Sequence, residues 1–244
     1  KPLAHFPIDV ALDARRADRS GALGLAGLAE LAVLALAHAA VLLLGVALLA
    51  VGGYGRREMS LGSDIDVVLV HEPSALRVED VASSLWYPIW DSRIALDHSV
   101  RTIAQARTLA QEDFKVVLGL IDARVVAGNT DLGESLRTGI LGDWRASAGD
   151  RLVELHATAM ARRSRVGDLA QLLEPDIKEA YGGLRDAVLL RALAASWTVE
   201  VPRTQWPSAV STLLNVRDAL HARGLRDRLA MQEQDDIAAE MTDL

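Results

Sequence analysis

Val51 to Val70 reads VGGYGRREMSLGSDIDVVLV. An apolar run, Val46–Val51, enters Gly52-Gly53. Ten residues then separate Gly53 from Asp64, and Asp64-Ile65-Asp66 opens a second apolar run, Asp66–Val70. Runs this short, partly β-branched and bounded by Gly-rich turns, predict strands. On an extended chain Asp64 and Asp66 point to the same face. Two carboxylates held side by side repel unless a cation lies between them. An all-oxygen donor set suits Mg²⁺ carried on a phosphate. Gly52 and Gly53 allow a backbone to approach a triphosphate closely and to offer it N–H groups. A Gly-rich hairpin with exposed acids accounts for Gly62-Ser63-Asp64, but not for Asp66 at the head of an otherwise apolar strand.

Working outward, Arg93–Val100 is a third predicted strand. Ile94, Leu96, His98 and Val100 share one face, and Ala95, Asp97 and Ser99 the other. Asp80–Ile89 predicts a helix that stops before Pro88. Upstream, Leu31–Val51 has His38 as its only polar side chain and is long enough to span a bilayer. A buried helix that breaks near Gly45 and continues as a strand is the reading adopted. Beyond Ile103 the period becomes helical. Phe114, Val117, Leu118, Ile121 and Val125 form one stripe, ended by Gly128-Asn129. Asp131–Ile140, Leu152–Arg163, Leu184–Trp197 and Pro207–Ala222 predict further helices, and no strand is expected among them. The organisation expected is an α/β unit over residues 1–102 and a helical bundle over residues 103–244.

The chain has 244 residues, 50% of them apolar, and a net charge of −7. That is ample for a sizeable core, and the acidic balance disfavours a broad nucleic-acid surface. With no cysteine, disulfide frameworks and thiolate sites are excluded, as fits a reducing cytoplasm. Residues 1–20 hold no signal-peptide pattern.

The spacing of the Gly pair and the two acids resembles the signature of the DNA polymerase β-like nucleotidyltransferases. The fuller string GGYGRREMSLGSDID resembles one branch, the bacterial protein-PII uridylyltransferases. LDHSVRT at Leu96–Thr102 and LEPDIKEAYGGLRD at Leu173–Asp186 are similar to further motifs of that branch. The resemblance implies a small mixed sheet followed by a helical bundle, with Asp64 and Asp66 holding two Mg²⁺ ions. It implies a third carboxylate on a later strand. Asp97 is the candidate and Asp91 the fallback, since relatives often carry Gly at the position of Asp97. Gly52, Gly53, Ser63 and Arg56 would bind the nucleotide. Gly182-Gly183 can start a helix, and Lys178 and Arg185 beside it would hold the triphosphate or the departing pyrophosphate. The activity implied is transfer of UMP from UTP to a Tyr of a PII signalling protein, with no nucleic acid or membrane partner. The phosphohydrolase half of such enzymes, built on a His-Asp doublet, has no counterpart in these residues. His98 reads as a packed or supporting histidine, and the other histidines as incidental.

Other readings stay open at the level of sequence. ATP could replace UTP as donor. A related branch adenylylates glutamine synthetase and shares the GGL-x-D string, although HSVRT speaks against it. A non-catalytic module would need a decayed site, and a membrane-associated module would use Leu31–Val51.

Overall fold

The computed structural model describes residues 45–202 and 206–242. The helix expected ahead of Gly45 lies outside the described residues. Four strands form one sheet in the order β3-β2-β1-β4: β1 Val46–Ala50, β2 Ile65–His71, β3 Leu96–Thr102 and β4 Arg124–Gly128. Five residues near the end of the long apolar run, Val46–Ala50, thus supply a central, buried strand. Among the described residues no helix is long and apolar enough to cross a membrane.

β1 and β2 are antiparallel, with Ala50 opposite Val67. They are joined through α1, the single turn Gly52–Gly55. β2 and β3 are parallel, so the chain must cross over between them. It does so through α2, Val78–Asp91. That helix runs through Pro88 instead of stopping before it. Near a C-terminus the ring removes only one ladder bond. The last turn is held because Ser92 donates to the Pro88 carbonyl from both its N–H and its Oγ, at 3.2 and 2.8 Å. Leu85, Trp86 and Ile89 are buried against the sheet. β3 begins at Leu96 rather than Arg93.

A second correction concerns the region after residue 102. The expected helical stripe from Phe114 to Val125 is two elements, α4 Phe114–Leu120 and strand β4. Val125 lies opposite Leu49 of β1. The i+11 spacing of Val125 mimicked a helix, but the β-branched pair Val125-Val126 satisfies its backbone on the sheet. The sheet therefore draws on residues from both sides of position 102. Gly128 closes β4 at φ +90°, and a Cβ there would meet the Val46 carbonyl oxygen at 2.4 Å. Gly128→Ala is expected to lower stability by about 2 kcal/mol or more. A denaturant titration with unchanged m-value would check it.

The two faces of the sheet carry separate cores. Val46, Leu48, Ala50, Ile65, Val67 and Leu69 pack on α2. Ala47, Leu49, Val68 and Val70 face α3 (Ile103–Glu112), α4 and α5 (Thr130–Val166). α5 is one helix, Thr130–Val166, where two were expected. Leu136, Ile140, Trp144, Ala148, Leu155 and Ala159 are all buried along it. This face continues across Gly142 and Gly149, and its packing outweighs their low helix propensity. Trp144 Nε1 donates to the Ala192 carbonyl at 2.8 Å, tying α5 to α6, Leu184–Ser196. α7 Trp206–Ala222 and α8 Met231–Thr242 complete the described helices.

Candidate active site

The cleft opens where β1 ends and β2 and β3 begin. Asp66 and Asp97 are register partners on the parallel pair β2 and β3, so their side chains share one sheet face. This is the face of Val68 and Val70, away from α2. His98 projects to the opposite face, with Trp86 and Trp90 ring centroids at 4.9 and 5.3 Å. Asp64 immediately precedes β2. The cleft has a volume of about 1080 Å³, and Asp64, Asp66 and Asp97 all line it, as do Gly52, Gly53 and Ser63. The fallback acid, Asp91, ends α2 and is not among the lining residues.

Gly52 shows why this turn excludes a side chain. Its φ is +55°, and a Cβ would fall 2.8 Å from Asp66 Oδ2. At Gly53 an added Cβ would meet nothing within 4 Å. The Val51 N–H donates to the Asp66 carbonyl at 3.0 Å, fixing the turn against the acid.

Asp66 carries the clearest electrostatic signature. Burial, then the neighbouring charges of Asp97 and Asp64, raise its pKa to about 6, against opposing pulls from Arg56 and Lys178. Three acids are thus concentrated where two of them disfavour ionisation of the third, which is the donor chemistry a hard divalent cation relieves. Among the described residues no three acidic or histidine side chains are grouped so that they could hold a metal ion by themselves. Mg²⁺ does not need such a group, because it retains waters and completes its shell with substrate phosphates. The donor set therefore fits Mg²⁺.

The second half of the chain adds basic residues to the cleft. Lys178 and Arg185 line the same cleft. The acids of their motif have other work. Asp176 Oδ1 accepts from the N–H groups of Lys178 and Glu179 at 2.9 and 2.8 Å. Glu174 is bonded to Arg228 at 2.6 Å. Asp186 pairs with Arg162 and accepts from the Gly182 N–H at 2.5 Å. Gly183 is the N-cap of α6, where a Cβ would meet the Ile177 carbonyl at 2.6 Å. Arg185 Nε also contacts Glu179 at 3.0 Å. Tyr181 lies beneath the Arg163 guanidinium, 4.6 Å from its ring centroid.

Arg56 lines the cleft but is already engaged. Its Nε donates to Glu58 at 2.6 Å and Nη1 to Asp122 at 3.5 Å. Glu58 also pairs with Arg191 of α6, so this cluster ties the segment after the Gly turn to the helical half. Burial pushes the Asp122 carboxyl above its ordinary range despite Arg56 and Arg191. Glu58→Gln should lower stability by about 2 kcal/mol. That is less than the ~3–5 kcal/mol for fully buried pairs, since Arg191 is part-exposed. Chemical denaturation of the variant beside wild type would show it.

Several lining residues escaped sequence reasoning, among them Arg217 and His221 of α7 and Asp227 in the loop beyond it. Asp227 Oδ1 accepts from Arg217 Nε at 2.7 Å, and Lys178 Nζ lies 3.8 Å from its Oδ2. His221, expected to be incidental, bridges Asp227 and Leu61. No local pattern announces them, because what sets them beside the cleft, Leu61 and Lys178, lies far away in the chain.

Comparison with known proteins gives a consistent picture. Residues 151–201 match the family model described as GlnD PII-uridylyltransferase. The bifunctional uridylyltransferase/uridylyl-removing enzyme of Streptomyces coelicolor is 54% identical over 200 residues, covering 81% of this chain and 24% of that enzyme. The enzyme of the same name from Mycobacterium tuberculosis is 42% identical over 209 residues, or 81% of this chain and 26% of that enzyme. That from Corynebacterium glutamicum is 37% identical over 211 residues, or 86% and 30%. The chain spans less than a third of the length of these relatives. A solved structure described as a toxin-antitoxin with AMP-PNP aligns with 53% of this chain and 97% of its own, at TM-score 0.35 and 14% identity. That likeness is too low to carry an argument.

Proposed function

Since this chain is a relative of the PII-uridylyltransferases over four-fifths of its length, we propose that it is a Mg²⁺-dependent nucleotidyltransferase unit that moves UMP from UTP to a Tyr hydroxyl of a PII signalling protein in the cytoplasm. The observation that carries this reading is the pairing of Asp66 with Asp97 across β2 and β3, beside Asp64, in one cleft with the Gly52-Gly53 turn. A polymerase β-like catalytic unit followed by a helical one is the organisation it implies. The shared sheet argues for drawing their boundary after β4 rather than at residue 102.

In this reading Asp64, Asp66 and Asp97 would hold the two ions. Mg²⁺ bound there would polarise the α-phosphate and neutralise the leaving pyrophosphate. Gly52 and Gly53 give the triphosphate a close backbone approach, with Ser63 beside them. Lys178 and Arg185 supply positive charge from the helical half. Arg56, tied to Glu58 and Asp122, lends its field rather than a free guanidinium. The acceptor oxygen forms a bond to the α-phosphorus as the bond from that phosphorus to the bridging oxygen breaks. Asp97, exposed on its strand, takes the hydroxyl proton. Nothing among these residues distinguishes uracil from adenine, so AMP transfer from ATP is the second outcome of the test.

The test is incubation with PII protein, Mg²⁺ and each nucleoside triphosphate separately, followed by intact mass. Addition of one UMP per PII subunit, with UTP only, is expected. A gain of AMP would reassign the donor, and an unchanged mass with every triphosphate would overturn the proposal.

A further inference from the structure

We propose that His221 is a positioning residue for the transfer reaction, acting as an imidazolium that clamps the turn before Asp64 to the wall that holds Lys178. His221 lies at the end of α7 with its side chain 10% exposed. Its Nδ1 is 2.6 Å from the Leu61 carbonyl oxygen, and its Nε2 is 2.9 Å from Asp227 Oδ1. Both partners are acceptors. A carbonyl carries no hydrogen. Asp227 remains ionised, since burial pushes its carboxyl up but Arg217, His221 and Lys178 together hold it below the ordinary range. A neutral imidazole has one N–H, so it can satisfy one of the two oxygens and must turn a lone pair on the other. Only the doubly protonated ring donates to both.

The clamp joins two parts of the cleft. Leu61 belongs to the turn Ser60–Ser63, closed by the Ser63 N–H on the Ser60 carbonyl at 2.9 Å and the Ser60 N–H on Ser63 Oγ at 3.0 Å. Asp64 follows that turn directly. At the other end Asp227 has Lys178 Nζ at 3.8 Å. Holding Leu61 and Asp227 on one ring therefore sets the distance between an acid and a base of the cleft, residues drawn from opposite ends of the chain. The charged groups around the ring are Asp227 from the loop after α7, Arg217 one turn earlier on α7, Lys178 from the segment before α6, and Arg226 on the same cleft wall. Arg217 and Lys178 compete with the ring for Asp227, so losing a ring proton frees one end of the clamp while Asp227 stays paired.

Two measurements test this, one of which does not depend on the activity proposed above. In the wild-type protein at pH 7, nitrogen NMR of the labelled ring should show a hydrogen on both Nδ1 and Nε2, each persisting against exchange with water. One bare ring nitrogen would overturn the clamp, even if the transfer reaction itself proved wrong. The second arm rests on the proposed function and compares kcat of His221→Gln with wild type across pH. Gln cannot become a charged double donor. At pH 6 it should be about tenfold slower, and by pH 9 within about twofold of wild type. A ratio that stays constant from pH 6 to pH 9 would mean a merely structural histidine and would overturn the proposal.

Discussion

Asp66→Asn is expected to reduce nucleotide transfer by about a thousandfold or more while leaving the protein at least as stable as wild type. The loss in rate follows from removing a charge where ions must stabilise the transition state, an effect of several kcal/mol. The stability effect has the opposite sign because Asp66 is an acid whose pKa is raised, by burial and by Asp97 and Asp64, to about 6. A raised carboxyl binds its proton more tightly when folded than when unfolded. Ionising it therefore costs stability, and the cost develops as pH rises from the unfolded range near 4 through 6. The Asn variant should thus melt higher than wild type at pH 7.5, and the two should converge near pH 4. Added Mg²⁺ should raise the wild-type melting temperature more at pH 7.5 than at pH 5, and should not stabilise the variant. Transfer within tenfold of wild type would remove Asp66 from the site.

Asp97→Ala should lower kcat by a similar factor, yet leave triphosphate affinity within about threefold. The second ion still has Asp64 and Asp66, so ground-state binding survives while an interaction made in the transition state is lost. Asp97 is exposed, and a surface acid with no role would give a change within about 0.5 kcal/mol in stability and none in rate. The register of β3 against β2 separates these cases. Had β3 slipped by one residue, His98 would lie beside Asp66 and Asp97 would face α2. Equal loss of kcat and of triphosphate binding would mean that Asp97 holds the nucleotide instead of acting in the chemical step.

What sequence made legible was what is local in the chain. β1, the Gly turn and β2 lie within 26 residues, and the alternation that sets Asp64 and Asp66 on one face is a property of any extended segment. Lys178 and Arg185 were legible through a motif, and Gly183 does start a helix. The pairing of Asp66 with Asp97 needed more. It depends on a parallel crossover through α2, and local sequence does not set the register such a crossover delivers. β4 was hidden because Val125 sits at a helical multiple from Phe114, while its real partner is Leu49, far upstream. The single helix α5 was hidden because Gly142 and Gly149 look like breaks until the buried row from Leu136 to Ala159 is seen to pass them. His221 was hidden most completely, since its meaning lies in Leu61, 160 residues away.

Two neighbouring strands, β2 and β3, are proposed to supply one two-ion site. Counting bound Mn²⁺ by electron paramagnetic resonance, with a non-hydrolysable UTP analogue at saturation, tests it most directly. Two ions per chain are expected for wild type, one for Asp97→Ala, and loss of the remaining ion when Asp66→Asn is added. The same ion count in wild type and Asp97→Ala would contradict the two-ion proposal.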